Sequence, residues 1–360
     1  AGGARLLTAL QNDGYAFAKV DPPVAYENPA ERVLDLTFQV VAGPRVKIGD
    51  IQLQGLGRVS DKIVRRRLLL HTGDQYSATA VERARKDVLS LGVFAAADVQ
   101  LGSKPDDLGR VPVTFRFRER PRHAVSMNAA YSTDLGTSAG VRWTDRNFRG
   151  DAQQLELAAQ VINLGGTATT GIGYNVSARY LLPQFAHRDQ SLQFAVGALE
   201  QQLDAYDQKA ATAGVTLNRK LSTIWSAGIG LSAIRETIIQ QGITQNYTLL
   251  SVPLTGTYDT TNLASPLNDP THGMRASLTF SPTFARGGQG ASFIVGQASV
   301  TGYFDLQGLL RTGPGRSVVA MRTIAGSAFG AGEVVEEIGG ADISVPNLPP
   351  DQRFYAGGSG

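Results

Sequence analysis

Between about residues 123 and 327 one pattern recurs: ten or so residues in which apolar side chains alternate with small or polar ones, then a turn. Met274, Ala276, Leu278 and Phe280 fall on one side of such a segment, and Arg275, Ser277, Thr279 and Ser281 on the other. Ile172, Tyr174, Val176, Ala178 and Tyr180 alternate with Gly171, Gly173, Asn175, Ser177 and Arg179. Trp225, Ala227, Ile229 and Leu231 do so with Ser226, Gly228, Gly230 and Ser232. The pattern predicts strands near 123–132, 138–148, 152–163, 168–182, 190–201, 208–219, 223–235, 247–259, 274–285, 291–304 and 315–327. Strands of roughly 10–14 residues exceed the usual globular length. Their second face is rich in glycine, serine and threonine. Long strands with an apolar outer face and a polar inner one suit an antiparallel transmembrane β-barrel.

The front third follows a different rhythm. Val46, Ile48, Ile51 and Leu53 alternate along 45–54, with a bulge expected near Gly49. Ser60-Asp61 predicts a capped helix running to Leu70, and Ser77 a second helix from Ala78 to Leu91, with Val81, Ala84, Val88 and Leu91 at helical spacing. Gly92 ends that helix; 96–101 and 111–118 read as closing strands. Leu34-Asp35-Leu36-Thr37-Phe38 matches Val111-Pro112-Val113-Thr114-Phe115 at an offset of about 77 residues, which Pro44 and Pro121 share, as tandem modules would. A chance match stays open.

This strand-helix-helix-strand-strand unit, with a glycine and an aromatic after its second helix, resembles the polypeptide-transport-associated (POTRA) domain. POTRA domains ahead of a β-barrel resemble the outer-membrane assembly-factor (BamA/TamA) superfamily. Tyr258-Asp259 followed by Pro270-x-x-Gly273-x-Arg275 is similar to its strand-turn-strand passage. Tyr131-Ser132-Thr133-Asp134-Leu135-Gly136 is similar to the first hairpin of the translocation and assembly module branch (TamA). Arg353, Phe354, Tyr355, Ala356, Gly357 and Gly358 resemble extracellular loop six, just ahead of the family's V-R-G-[YF] tetrapeptide, which this sequence does not contain. The expected organisation is the C-terminal part of one POTRA domain over 1–44, a complete one over 45–120, and the N-terminal part of a barrel over 121–360, about 11 of the family's sixteen strands. An open barrel leaves unpaired amides in lipid, so the natural chain is expected to continue past Gly360.

The resemblance implies strand pairing rather than catalysis. The first barrel strand would line a lateral seam, with Val125, Ser126, Met127, Asn128 and Ala129 as the client-pairing edge; an ordinary barrel strand is the alternative. Ala96, Ala97, Asp98, Val99 and Gln100 would form a POTRA edge open to augmentation, or a solvated edge guarded by Asp98 and Gln100. Arg65-Arg66-Arg67 reads as a solvated helix face, or as contact to lipid headgroups or a partner. Arg142, Arg179, Arg275 and Arg322, placed inward, would meet loop six or lumen carboxylates, or simply hydrate the lumen.

The implied partners are unfolded outer-membrane or autotransporter client proteins, outer-membrane lipid, and a periplasm-spanning partner on the POTRA arm. The place implied is the bacterial outer membrane, with POTRA domains in the periplasm. The general barrel assembly insertase and the two-partner secretion transporter remain alternatives, and outside the superfamily a passive or structural pore.

Composition narrows the rest. The chain has no apolar run of about eighteen residues, so strands are its only candidates for crossing a bilayer. A net charge of +3, without basic runs interleaved with aromatics, gives no footprint for nucleic acid. His71, His123, His187 and His272 are scattered, with no second histidine or cysteine at metal spacing. Gly171-x-Gly173 lies within a strand, not between strand and helix. No enzyme, cofactor or metal is expected.

Overall fold

The computed structural model describes residues 2–28, 33–261, 263, 269–287, 292–330, 333–338, 341–346 and 348–353. The chain forms two compact units, residues 1–122 with 146–153, and residues 123–145 with 154–360.

The first unit opens with helix α1 (Gly2–Asn12) and strands β1 (Lys19–Val20), β2 (Val24–Asn28), β3 (Val33–Thr37) and β4 (Val40–Val41). β2 and β3 make an antiparallel hairpin, and β1 pairs with β4. Then come β5 (Lys47–Gln54), helices α2 (Asp61–Arg67) and α3 (Ala78–Leu89), β6 (Phe94–Leu101) and β7 (Arg110–Glu119). β7 sits centrally, parallel to β5 and antiparallel to β6. The register shift between Ile48 and Ile51 falls at the expected bulge. Val46, Ile48, Val64, Val88, Val111 and Phe115 fill the core between sheet and helices. The alternation of β5 and β7 and the helical spacing of α3 bring these side chains to one side.

Helix α2 stops at Arg67, short of the predicted Leu70, and Ser60 makes no side-chain cap bond. The cause is packing: Leu68 and Leu70 are buried while Leu69 is exposed, an alternation that extended backbone provides and a helix cannot. Ser77 does cap α3, its Oγ accepting from Ala80 N at 3.3 Å. Asn12 Oδ1 adds to that helix start, accepting from Thr79 N at 2.9 Å and from Ser77 Oγ at 3.0 Å. Replacing Ser77 by Ala should therefore cost about 1 kcal/mol. Faster amide exchange at residues 79–81 of the full chain is the readout, and unchanged rates there would rule the cap out.

Residues 146–153 cluster with this first unit. Asn147 Nδ2 donates to Arg58 O and Asn147 Oδ1 accepts from Ala152 N, both at 2.8 Å, and Ser60 N donates to Gly150 O at 2.8 Å. Ala152 is fully buried in the same core.

The second unit is a twelve-stranded antiparallel sheet in which consecutive strands pair, except that β15 and β16 each lie between β14 and β17. Its strands are β8 (His123–Ser132), β9 (Gly136–Asp145), β10 (Gln154–Leu164), β11 (Gly173–Pro183), β12 (Gln190–Gln202), β13 (Asp207–Lys220), β14 (Trp225–Gln240), β15 (Ile243–Ser251), β16 (Leu254–Asp259), β17 (Gly273–Arg286), β18 (Phe293–Asp305) and, after helix α4 (Gln307–Leu310), β19 (Val318–Phe329). A separate hairpin, β20 (Glu333–Ile338) with β21 (Ala341–Pro346), precedes a 3-10 turn at Pro350–Gln352. The strand predicted over 247–259 is split into β15 and β16. Pro253 lies at the break, where it has no N–H for a ladder, and its carbonyl accepts from Gly230 N at 2.8 Å.

The two faces of this sheet differ as the alternation predicts. Val125, Met127, Val141, Tyr174, Val176, Val196, Ile229, Leu231, Leu278 and Phe280 are exposed. A soluble sheet would cover such a belt; the hydrocarbon of a bilayer matches it. The other face holds a polar hollow of about 1310 Å³ lined by Lys220, Ser226, Thr257, Arg275, Thr301 and Arg322 among others. Here Arg275 Nε lies 3.1 Å from Asp259 Oδ2, and Arg322 Nε donates to Ser299 Oγ at 3.3 Å. Arg142 and Arg179 both reach Glu156, at 3.5 and 4.0 Å. Such exposed pairs contribute little to stability but satisfy charge on a wet face.

Candidate functional site

β8 has one neighbour, β9, and ends the sheet among the described residues. Within it Val125 faces Trp143, Ser126 faces Arg142, Met127 faces Val141, Asn128 faces Gly140 and Ala129 faces Ala139. Met127 is 82% exposed, so almost nothing packs on this edge. One side of its backbone is in the ladder. The other side has no strand beside it among the described residues, as is also true of β19 at the far end of the sheet.

The ends of β8 are held although its edge is free. At one end the His123 ring stacks on Trp143 with centroids 5.3 Å apart. At the other, the hairpin at Thr133–Leu135 is clamped by the loop after β10: Thr167 N donates to Thr133 O at 3.1 Å and Ala168 N to Asp134 O at 2.9 Å. Gly136 has φ +74, and a Cβ there would lie 2.4 Å from Leu164 O, so only glycine allows this approach. The Tyr-Ser-Thr-Asp-Leu-Gly signature is thus a clamp on the end of the edge strand.

Behind that hairpin, Leu135 packs against a cluster of Leu203, Tyr206, Ile238, Tyr247, Leu249, Phe293 and Leu348. Leu348 lies just ahead of the segment expected as loop six, which begins at Arg353. Arg353 is fixed there through its Nε, which donates to Leu348 O at 3.0 Å. Phe354, Tyr355, Ala356, Gly357 and Gly358 lie outside the described residues. Sequence reading named Leu135 only within the 131–136 hairpin signature and did not single out Leu348, Glu236 or Asp351. Glu236 did carry a signal, an acid between Ile234 and Ile238 on one face of β14, where alternation calls for an ordinary lumen residue.

In the first unit, Ala96, Ala97, Asp98, Val99 and Gln100 lie on β6, an outer strand of its sheet. Ala97 is buried in the core, and Asp98 stands opposite Arg116 of β7. One carbonyl of this strand, Ala97 O, already accepts from Arg85 Nη1 at 3.4 Å. Arg85 also pairs with Glu82 at 2.6 Å. In the Arg65-Arg66-Arg67 run, Arg65 pairs with Asp61 at 2.7 Å, and Arg67 donates to Asp87 O at 3.1 Å and to Ser90 Oγ at 3.1 Å. Arg65 and Arg67 therefore knit the helices to their own unit.

No group of three or more metal-ligating side chains occurs among the described residues. The chemistry these edges provide is backbone pairing.

Comparison with known proteins follows the same division. Residues 123–360 match the model of the Omp85 superfamily domain, and residues 46–120 the POTRA model, described as a surface antigen variable number repeat. A curated relative, outer membrane protein assembly factor BamA of Neorickettsia risticii, is 29% identical over 160 residues, 44% of this chain and 21% of that protein. The chain thus aligns with about a fifth of that relative's length. BamA from Haemophilus ducreyi lacking POTRA domains 1–3 superposes with a TM-score of 0.67 at 19% identity, covering 99% of this chain and 67% of that one. CdiB from Escherichia coli superposes with a TM-score of 0.54 at 12% identity, covering 95% and 67%. With a POTRA module leading into an antiparallel sheet that is apolar outside and polar within, this chain belongs to the Omp85 superfamily of bacterial outer-membrane proteins, its POTRA module in the periplasm.

Proposed function

We propose that the protein assembles or translocates other proteins at the outer membrane, by pairing client strands with the free edge of β8. What supports this reading is a POTRA module followed by a two-faced antiparallel sheet whose first strand, β8, is held at both ends. A backbone group left unpaired in lipid costs several kcal/mol, so a client strand that pairs with β8 has its edge groups satisfied as it enters. Insertion then proceeds by strand pairing and by burial of the client's apolar face in hydrocarbon. No catalytic residue, metal or cofactor takes part.

The clients are unfolded outer-membrane proteins, autotransporter-like proteins among them. The hairpin at 131–136 inclines the reading to the translocation and assembly branch, whereas the sequence relatives are named for outer-membrane protein assembly and keep the general insertase in view. The POTRA edge at 96–100 offers a docking strand to client or to a periplasm-spanning partner. A passive pore has no use for such a module, which is the argument against that alternative.

Depletion separates the two. Loss of the protein should lower the folded level of client barrels several-fold, with little change in solute permeability. Purified protein conducting as a steady open pore, together with normal client assembly after depletion, would overturn the proposal.

A further inference from the structure

The cluster that holds Leu348 also contains two acids in contact. Glu236 is 2% exposed, and its Oε2 accepts from Gln208 Nε2 at 2.8 Å. Gln208, also buried, accepts in turn from Gln201 Nε2 at 2.9 Å, so a chain of amides across β12 and β13 orients Glu236. From the turn after β21, Asp351 meets the side chains of both Glu236 and Gln208, and its Oδ2 accepts from Gln352 Nε2 at 2.6 Å. The remaining oxygens, Glu236 Oε1 and Asp351 Oδ1, are buried with no donor among the described residues. Two carboxyl groups in contact have no donor between them until one is protonated.

The other ionisable groups near the pair among the described residues are engaged elsewhere, packed in the cluster or turned away. Tyr247 stands opposite Glu236 on β15 and donates to Gln245; Tyr206 packs in the same cluster. Arg353 is turned onto Leu348 O, Lys209 pairs with Glu200 at 2.8 Å, and Arg235 is exposed on the opposite side of β14 from Glu236. Two buried like charges repel strongly and lack hydration. Burial holds the Asp351 carboxyl above the usual carboxylate range. A calcium ion would need six to eight oxygens, and no third histidine, cysteine or acid joins the pair among the described residues.

We propose that Glu236 and Asp351 share a single proton, and that this proton fastens residues 348–353 to the wall formed by β13 and β14. With the segment undocked, Asp351 is in water and ionises in the ordinary range; docked, it holds its proton to higher pH. Docking is therefore fully supported below the ordinary carboxylate range and weakens as pH rises through the raised value. Because Leu348 lies in the cluster that supports Leu135, undocking also loosens the hairpin that clamps β8.

The test is amide hydrogen exchange of Leu348, Asp351, Gln352 and Arg353 in the full chain, in micelles, corrected for the intrinsic rate at pH 5 and pH 8. Barrel integrity is checked by heat-modifiable migration. Protection should fall at least about tenfold between the two pH values, as follows when the docked and undocked acids titrate about one pH unit or more apart. In Glu236→Gln, and separately in Asp351→Asn, an amide supplies the missing donor at every pH, so protection should become independent of pH. A pH slope in both variants equal to the native one would overturn the proposal. So would native protection at pH 8 that calcium raises and EDTA removes, since a divalent cation would then bridge the acids.

Discussion

A photo-crosslinking residue at Ser126 or Asn128 will capture a client strand at least about tenfold more than the same residue at Ser226, a difference of about 1.4 kcal/mol in occupancy. Ser226 lies on β14, whose backbone is engaged on one side by β13 and on the other by β16 at that level. A client there must break two ladders before it can pair. β8, the first strand of the sheet, is paired with β9 on one side, so a client has at most one closing strand to displace. About five N–H groups of a ten-residue antiparallel strand point to each side, so the side of β8 away from β9 can carry a full ladder.

Proline scanning across Val125, Ser126, Met127, Asn128 and Ala129 sharpens the test. Proline lacks the N–H, and successive N–H groups point to opposite sides of a strand. Assembly should fail at alternate positions, while the positions between them weaken pairing with β9 instead. Equal labelling at Ser126, Asn128 and Ser226, or client assembly insensitive to proline at all five sites, would remove β8 from the reaction.

Glu119→Ala will destabilise the first unit by about 3–4 kcal/mol, the effect of losing several hydrogen bonds to one charged, partly buried acceptor. Glu119 ends β7, with its side chain 11% exposed. Its Oε1 accepts from Gly57 N at 2.8 Å, Arg58 N at 2.9 Å and Val59 N at 2.9 Å, and Oε2 pairs with Arg58 Nε at 3.3 Å. These bonds hold the loop that turns out of β5 at Gly55, where φ is +83 and a Cβ would meet Phe117 O at 2.2 Å. Desolvation raises the Glu119 carboxyl, but the three backbone donors and Arg58 outweigh it and hold it below the usual carboxylate range.

The folded value is thus depressed. The stabilisation is complete above the ordinary glutamate pKa of about 4.3 and is lost as pH falls through the lower, folded value. Hydrogen exchange of β5 and β7 amides in the full chain, at pH 7 and pH 4, is the measurement. Glu119→Gln should retain part of the stability and lose the acid dependence. A cost below about 1 kcal/mol, within what one ordinary neutral hydrogen bond contributes, would mean that the loop is held by other means.

The elements of this protein were largely readable because their signals are local. Ile229 and Leu231 announce an outward face by alternating with Gly228, Gly230 and Ser232; Ser77 announces a helix because a cap acts within three residues. Failures came where a distant contact overrode the local signal. Leu68 and Leu70 left the helix to reach the core. Pro253 divided a strand that alternation alone would have continued.

Alternation, strand length and the change of period at the front were enough to establish a lipid-facing antiparallel sheet preceded by a strand-and-helix module. Each depends only on residues a few positions apart. Which strand begins the sheet, and which residues meet behind it, depends on strand order and on approaches such as that of Leu135 to the cluster containing Leu348 and of Glu236 to Asp351. Residues more than a hundred positions apart carry no shared period, and only the closing of the fold brings them to one place.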